Sequence, residues 1–394
     1  MKKTLFIILS ALLFSCEKVE RTIPVEVEAS AGISSREVAR MLSSLPIGAE
    51  QIGEVFDAVS ASSENGYDEE YTMAGLFSQP GAGVGDSPTK TSSKAYSTPL
   101  RDLIAEYLGT ESTKASGGLS RQALEQSGLQ IYWPWSENWD GRSYPAITFD
   151  PGDGSSVNTA YLLERDSSEG LSVREIEVDE NYAVNHPVWV VNSNDDASYT
   201  SLELLRRQIG DTGGGDIIIG KPTSRGTKSE GEEFDVNRTL IIRNFMATRN
   251  YDSWLAGGSE FFIKFASVEN FKAATDEELL LYNPSVTDFM IEVKRKDVGE
   301  VLPINTVVVT DWTGQLSRCP FLISEDDGGT WTSWKAEIEL KIYSKTYGLG
   351  ITLPIRSRDD IVWRGSLSSA FLEKASGEAY RYGDVEITFE MLSQ

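Results

Sequence analysis

Apolar residues recur at helical spacing in the first third of the chain and at alternating spacing after it. Val38, Met41, Leu42 and Leu45 fall on one helical face. Ser34 and Glu37 fit a capping box, in which hydroxyl and carboxylate satisfy orphan backbone N–H groups, and Pro46 stops the run. Ile52, Val55, Phe56 and Val59 repeat the spacing until Asn65-Gly66, and a third short segment carries Tyr71, Met73, Ala74, Leu76 and Phe77. Residues 79–97 are rich in Gly, Ser, Pro and Thr and read as a loop. Thr98 then serves as an N-cap with Pro99 at the first helical position, and Leu100, Leu103, Ile104, Tyr107 and Leu108 make the apolar face. Each helix is too short to be stable alone, so they must pack together or onto the segment that follows.

From residue 129 the period changes. Strands are predicted over 129–133, 146–149, 160–163, 175–178, 187–191 and 217–219, with a short helix over 201–209. Turn clusters such as Asp150-Pro151-Gly152-Asp153-Gly154 separate them. A polar stretch, 222–233, reads as a linker. Beyond it, strands are predicted over 239–243, 261–266, 289–294, 306–311, 321–324, 330–343, 350–355 and 385–391. Trp334, Ala336, Ile338, Leu340 and Ile342 alternate with Lys335, Glu337, Glu339, Lys341 and Tyr343, the mark of a strand with one buried and one wet face. About eight strands in about 160 residues predict an antiparallel β-sandwich. The fold class is therefore α+β: a small N-terminal helical region (32–118), a first mainly antiparallel β region (119–221), and a C-terminal β-sandwich (234–394). No repeat of solenoid or propeller length is evident.

Composition narrows the function. Of 394 residues, 40% are apolar and 10% aromatic, enough for real cores. The net charge of -24 repels phosphate backbones and anionic lipid heads, so nucleic acid is excluded as a partner. Lys2 and Lys3 precede an apolar run, Leu5 to Phe14, broken only by Ser10, and Ser15 stands before Cys16. This is the pattern of an export signal, shorter than the about 20 residues of a membrane span. Leu13-Phe14-Ser15-Cys16 resembles a bacterial lipobox, although Phe14 departs from the usual small or aliphatic residue. With the general layout, the chain is similar to Bacteroidetes-type cell-envelope lipoproteins. That resemblance implies a signal peptide (1–15), lipidation at Cys16, a tether (16–31), and anchoring to the outer membrane by lipid alone.

If Cys16 carries lipid, Cys319 has no partner for a disulfide. Phe321, Leu322 and Ile323 follow it, so it reads as a buried structural thiol and not a nucleophile. His186 is the only histidine, which excludes multi-histidine zinc sites and points to a hydrogen-bonded structural residue at a strand start. Gly213-Gly214-Gly215 lacks the phosphate-loop pattern. Acidic clusters at 150–153, 195–196, 326–327 and 359–360 follow no EF-hand spacing, so no metal site is assigned. Calcium is the one cofactor such loops leave open.

Ser324-Glu325-Asp326-Asp327-Gly328-Gly329-Thr330-Trp331 resembles the Asp box of sialidase-like proteins at every fixed position: Ser324, Asp326, Gly328, Thr330 and Trp331. In that family the box is a structural turn, so here it implies a hairpin turn with Trp331 packed beneath it, not sialidase activity. Tyr132, Trp133, Trp135 and Trp139 crowd into eight residues. Such rings either cover a domain seam or stack on sugars. Pro134 breaks the alternation, so Trp133 is expected inside, with Trp135 or Trp139 keeping an exposed ring face. The expected function is non-enzymatic binding of a glycan or protein partner. The alternative is a secreted hydrolase using carboxylates of the first β region, and no catalytic residue is assigned.

Overall fold

A computed structural model describes residues 33–78, 96–111, 119–165, 171–195, 199–209, 217–218 and 237–393. The signal, Cys16, the tether, most of the 79–97 loop, Gly213 to Gly215 and the 222–233 linker lie outside the described residues. Gly32–Gln394 forms one compact unit. The fold is mixed, with helices at the start and mostly antiparallel sheets after them.

The first half runs α1 (Ser35–Ser44), α2 (Ala49–Glu64), β1 (Glu70–Thr72), α3 (Met73–Phe77), α4 (Leu100–Glu111), α5 (Arg121–Glu125), β2 (Leu129–Tyr132), β3 (Ala146–Phe149), β4 (Val157–Arg165), β5 (Leu171–Asp179), α6 (Glu180–Asn185) and β6 (Val188–Ser193). The capping box at Ser34 forms as expected, with both reciprocal bonds to Glu37 present. The strands make one sheet in the order β1-β2-β6-β3-β4-β5, in which β3 and β6 are parallel. The helices do not make a core of their own. Val38, Leu42, Ile52, Val55, Leu76 and Ile104 bury against Ile131, Trp133, Ile147 and Trp189 on one face of this sheet.

The second half runs α7 (Leu202–Ile209), β7 (Ile217–Ile218), β8 (Arg238–Ala247), β9 (Ser259–Ser267), β10 (Ser285–Val293), β11 (Leu302–Trp312), β12 (Leu316–Glu325), β13 (Trp331–Ile342), β14 (Lys345–Arg356), β15 (Asp360–Ser368), α8 (Ser369–Ala375), β16 (Ala379–Tyr382) and β17 (Val385–Ser393). One sheet has the order β10-β9-β12-β13-β14, with β15 also on β12, and the other has β16-β17-β8-β11-β7. Phe261, Phe265 and Phe321 of the first meet Phe245, Val309 and Phe389 of the second in one core. The predicted alternation in β13 holds: Ile338, Leu340 and Ile342 are buried while Lys335, Glu337 and Lys341 are exposed.

The two halves interlock. The loop 248–258, between β8 and β9, sends Trp254 and Leu255 onto the face of the first sheet that the helices leave open, against Tyr132, Ala160, Val178, Val188 and Val190. This is why β6 is buried from Val188 to Asn192: both faces are covered. Within the second half, Gly258 lets the loop lie close on the end of β10, since a Cβ there would fall 2.8 Å from the Val293 carbonyl oxygen. Tyr67 joins Phe262 and Met290 in a further contact, so β9 is buried along all nine residues.

The Asp-box stretch departs from the expected tight hairpin. Beside it β12 pairs with β15 and β9, while β13 pairs with β14 along its whole length. β12 and β13 meet only at Leu316↔Leu340 and Arg318↔Glu339. The segment is therefore a loop between strands that diverge because other strands take their edges. Trp331 is 42% exposed rather than packed beneath the turn, with the Arg356 guanidinium 5.2 Å from its ring centroid.

Candidate functional site

The aromatic segment follows β2. Trp133 is fully buried, in ring contact with Phe56, Trp139 and Trp189. Trp139 is half-buried, and its indole N–H donates to the Ser143 carbonyl at 2.9 Å. Asp140 closes the turn after it by accepting from the Arg142 and Ser143 backbone N–H groups. Trp135 is half-buried on the other side of the sheet, against the cluster that holds Trp254. The fold thus brings Trp139 to Trp133 and sends Trp135 elsewhere, so the two half-exposed indoles rest on different clusters. Trp135 has φ 54 and ψ 33, a left-handed conformation that is rare for a bulky side chain. The segment is tied across the seam by Lys296, which reaches Glu137 at 2.8 Å and Glu69 at 3.2 Å.

His186 is exposed at the C-terminal end of α6. Its ring stacks on Tyr182 at 4.2 Å between centroids, and Nδ1 lies 3.1 Å from the Tyr182 carbonyl oxygen. Cys319 is fully buried in the second core, and burial pushes its thiol up. In the Asp-box loop, Asp326 Oδ1 accepts from the Gly328 backbone N–H at 2.8 Å, and Gly328 takes φ 71. Asp326 also lies 3.6 Å from Arg356. Thr330 donates its backbone N–H to the Ser357 hydroxyl, and Ser324 is fully buried.

The acidic clusters converge. Asp252, from the 248–258 loop, faces Glu325, the last residue of β12, and Glu260, the second residue of β9. One carboxylate oxygen from each lies within 4.8 Å of the others. Glu325 is 0% exposed, Glu260 6%, and Asp252 is half-buried. Asp150 adds its charge to Asp252, Asp327 to both Asp252 and Glu325, Asp195 to Glu325, and Asp360 to Asp327. So acids from four stretches far apart in sequence act on one another's charge.

Packing these groups together disfavours their charged forms. Burial, and then the adjoining Asp252 carboxylate, push Glu325 up to about 11. Burial lifts Asp252 to about 6. Burial and mutual repulsion therefore disfavour charging both members of the pair at once. The neighbouring guanidinium of Arg295 favours a charged Asp252 but does not bond to its carboxylate: its Nη1 donates to the backbone carbonyls of Asp252 and Gly257 and its Nε to Glu180. The groups form an oxygen-only set able to share a proton or hold a hard cation.

Sequence reasoning missed Asp252, Glu260 and Glu325. A signal was present for two of them: each is an acid placed where a strongly apolar strand, Phe261-Phe262-Ile263 or Phe321-Leu322-Ile323, meets its end. Among the described residues, no helix is long and apolar enough to cross a membrane. No family model, no curated protein and no solved structure matches the chain.

Proposed function

We propose that the protein is held to the cell envelope by lipid on Cys16 and binds a glycan or a protein partner without catalysing a reaction. The C-terminal half is read as a β-sandwich scaffold and the first sheet as the part that presents the contact. The observation that carries the binding reading is Trp135: a bulky residue held at positive φ, half-exposed, beside a seam braced by Lys296. Strain of this kind costs about 1–3 kcal/mol and persists where surrounding structure enforces it, often at binding positions. The hydrolase alternative finds no equal support. Its carboxylates would be Asp252 and Glu325, which belong to the second β region rather than the first. They are in direct contact, with Glu325 sealed from solvent, so a sugar ring has no room between them.

The test has two arms. Labelled palmitate enters the wild type and not Cys16→Ala; equal labelling of both removes the anchor. The soluble protein binds on a glycan array or captures an envelope protein, and Trp135→Ala abolishes that binding with the melting temperature retained. Binding that survives Trp135→Ala, or passes instead to Trp139→Ala, removes Trp135 from the contact.

A further inference from the structure

We propose that Asp252, Glu260 and Glu325 form a binding site for one divalent cation of the calcium class. The inference stands apart from the glycan or protein reading and uses none of its residues.

The first support is geometric. Oxygens on one calcium ion at about 2.3–2.6 Å are at most about 5 Å apart. The three carboxylate oxygens, all within 4.8 Å of one another, fit inside that limit. The second support is Glu325 itself. Two other buried carboxylates each meet a donor through one oxygen: Asp68 accepts from the Gly258 N–H at 2.9 Å, and Asp326 from the Gly328 N–H at 2.8 Å. Glu325 is 0% exposed, and neither of its oxygens meets a hydrogen-bond donor. It is aimed at two further carboxylates, which only accept unless protonated. A buried carboxylate needs a counter-charge, a donor or a proton. A dication supplies the first to three carboxylates at once.

The chemistry selects the ion. The set is all oxygen, and the protein's histidine and its buried cysteine lie elsewhere, which disfavours zinc. Magnesium holds several waters in tight octahedral geometry, and two buried ligands leave little space for them. Calcium accepts irregular carboxylate sets. Asp252, half-buried, marks the side from which ion and water enter. The ligands come from the 248–258 loop, the start of β9 and the end of β12, so an ion here staples the loop that joins the two halves. It binds the folded state only and therefore stabilises it.

The purified protein, stripped with chelator, is melted with calcium, with magnesium and with neither, and titrated with calcium by calorimetry. Calcium is expected to raise the melting temperature in a concentration-dependent way, magnesium much less. Glu325→Gln and Asp252→Asn are expected to melt cooperatively without metal and to lose the calcium shift. Glu325→Gln also removes a buried acid, so its metal-free form should melt no lower than the stripped wild type. If Glu325→Gln does not fold, Asp252→Asn alone decides, because its side chain is partly in solvent. No shift and no heat with calcium at about 10 mM, above the weakest extracellular sites, overturns the site. So does a full shift retained in Asp252→Asn.

Discussion

Trp254 is one of the residues through which the second half grips the first, and its removal has a calculable cost. The side chain is 2% exposed and rests on the open face of the first sheet, among Tyr132, Ala160, Val178, Val188 and Val190. Its indole N–H donates to the Ser156 carbonyl at 2.8 Å. Burying a ring of this size removes about 200 Å² from water, worth about 5 kcal/mol at about 25 cal/mol per Å². Trp254→Ala keeps only the Cβ share, and a loop held by other contacts closes part of the cavity, so a loss of about 3–5 kcal/mol is expected. Trp254→Phe keeps most of the area and loses the hydrogen bond. Ser156 is exposed, so water replaces the donor and the cost is about 1 kcal/mol. With an unfolding entropy of about 2.1 cal/mol/K per residue over a unit of about 360 residues, 1 kcal/mol shifts the melting temperature by roughly 1–2 °C. The Ala variant should therefore melt about 5 °C low, and the Phe variant about 1 °C low. Calorimetry should also resolve two transitions in the Ala variant where the wild type has one, because the seam that couples the halves is opened. Equal effects of Ala and Phe would show that the hydrogen bond, not the buried ring, holds the seam. An Ala variant within 1 °C of the wild type would refute the seam argument.

Two further outcomes follow from titrating groups. Burial, with the Asp326 carboxylate adding to it, lifts Asp359 to about 6. A carboxyl raised in the folded state contributes stability that is full below the ordinary carboxylate range, near pH 4, and lost as pH rises through about 6; urea midpoints should show this fall in the wild type and a smaller one in Asp359→Asn, and identical profiles would refute the pairing. Cys319 should be inert to a thiol reagent in the native protein and react only on unfolding, since burial pushes its thiol up and closes access; rapid native labelling would show that the second core is open there.

Local signals explain what was legible in the sequence. The capping box at Ser34 and the alternation from Trp334 to Ile342 each depend on contacts within a few residues, and both are seen in the structure. β15 and β16 were not legible. β15 places Trp363 and Arg364 beside Gly365 with little alternation, and its position comes from pairing with the far strand β12. That same pairing converts the expected tight hairpin at the Asp box into an open loop. The motif fixed the local turn at Asp326 and Gly328, but the strand partners decided what the turn joins. The Trp135–Trp139 pair divides for a similar reason. Spacing along the chain put both rings near one edge, but the left-handed backbone at Trp135 turns the chain, and the rings settle on opposite sides of the sheet.

The carboxylate site shows where local reading stops. Asp252, Glu260 and Glu325 sit on three elements, and Glu325 occupies a variable position of the Asp-box stretch, where a motif reading assigns it nothing. Its burial follows from two separate facts of topology: β12 is central, paired by β9 on one side and β15 on the other, and the 248–258 loop folds over its end. Neither is a property of the residues around Glu325. Solvated loop acids are the sound expectation for so acidic a chain. What separates Glu325 from them is a buried environment in which neither oxygen meets a donor. The loop that carries Trp254 also carries Asp252, one of the three carboxylates. Loosening the seam by Trp254→Ala should therefore weaken calcium binding although Trp254 supplies no ligand. A calcium affinity equal to that of the wild type, in a Trp254→Ala protein whose stability has fallen, would separate the two and show that the carboxylates are held by β9 and β12 alone.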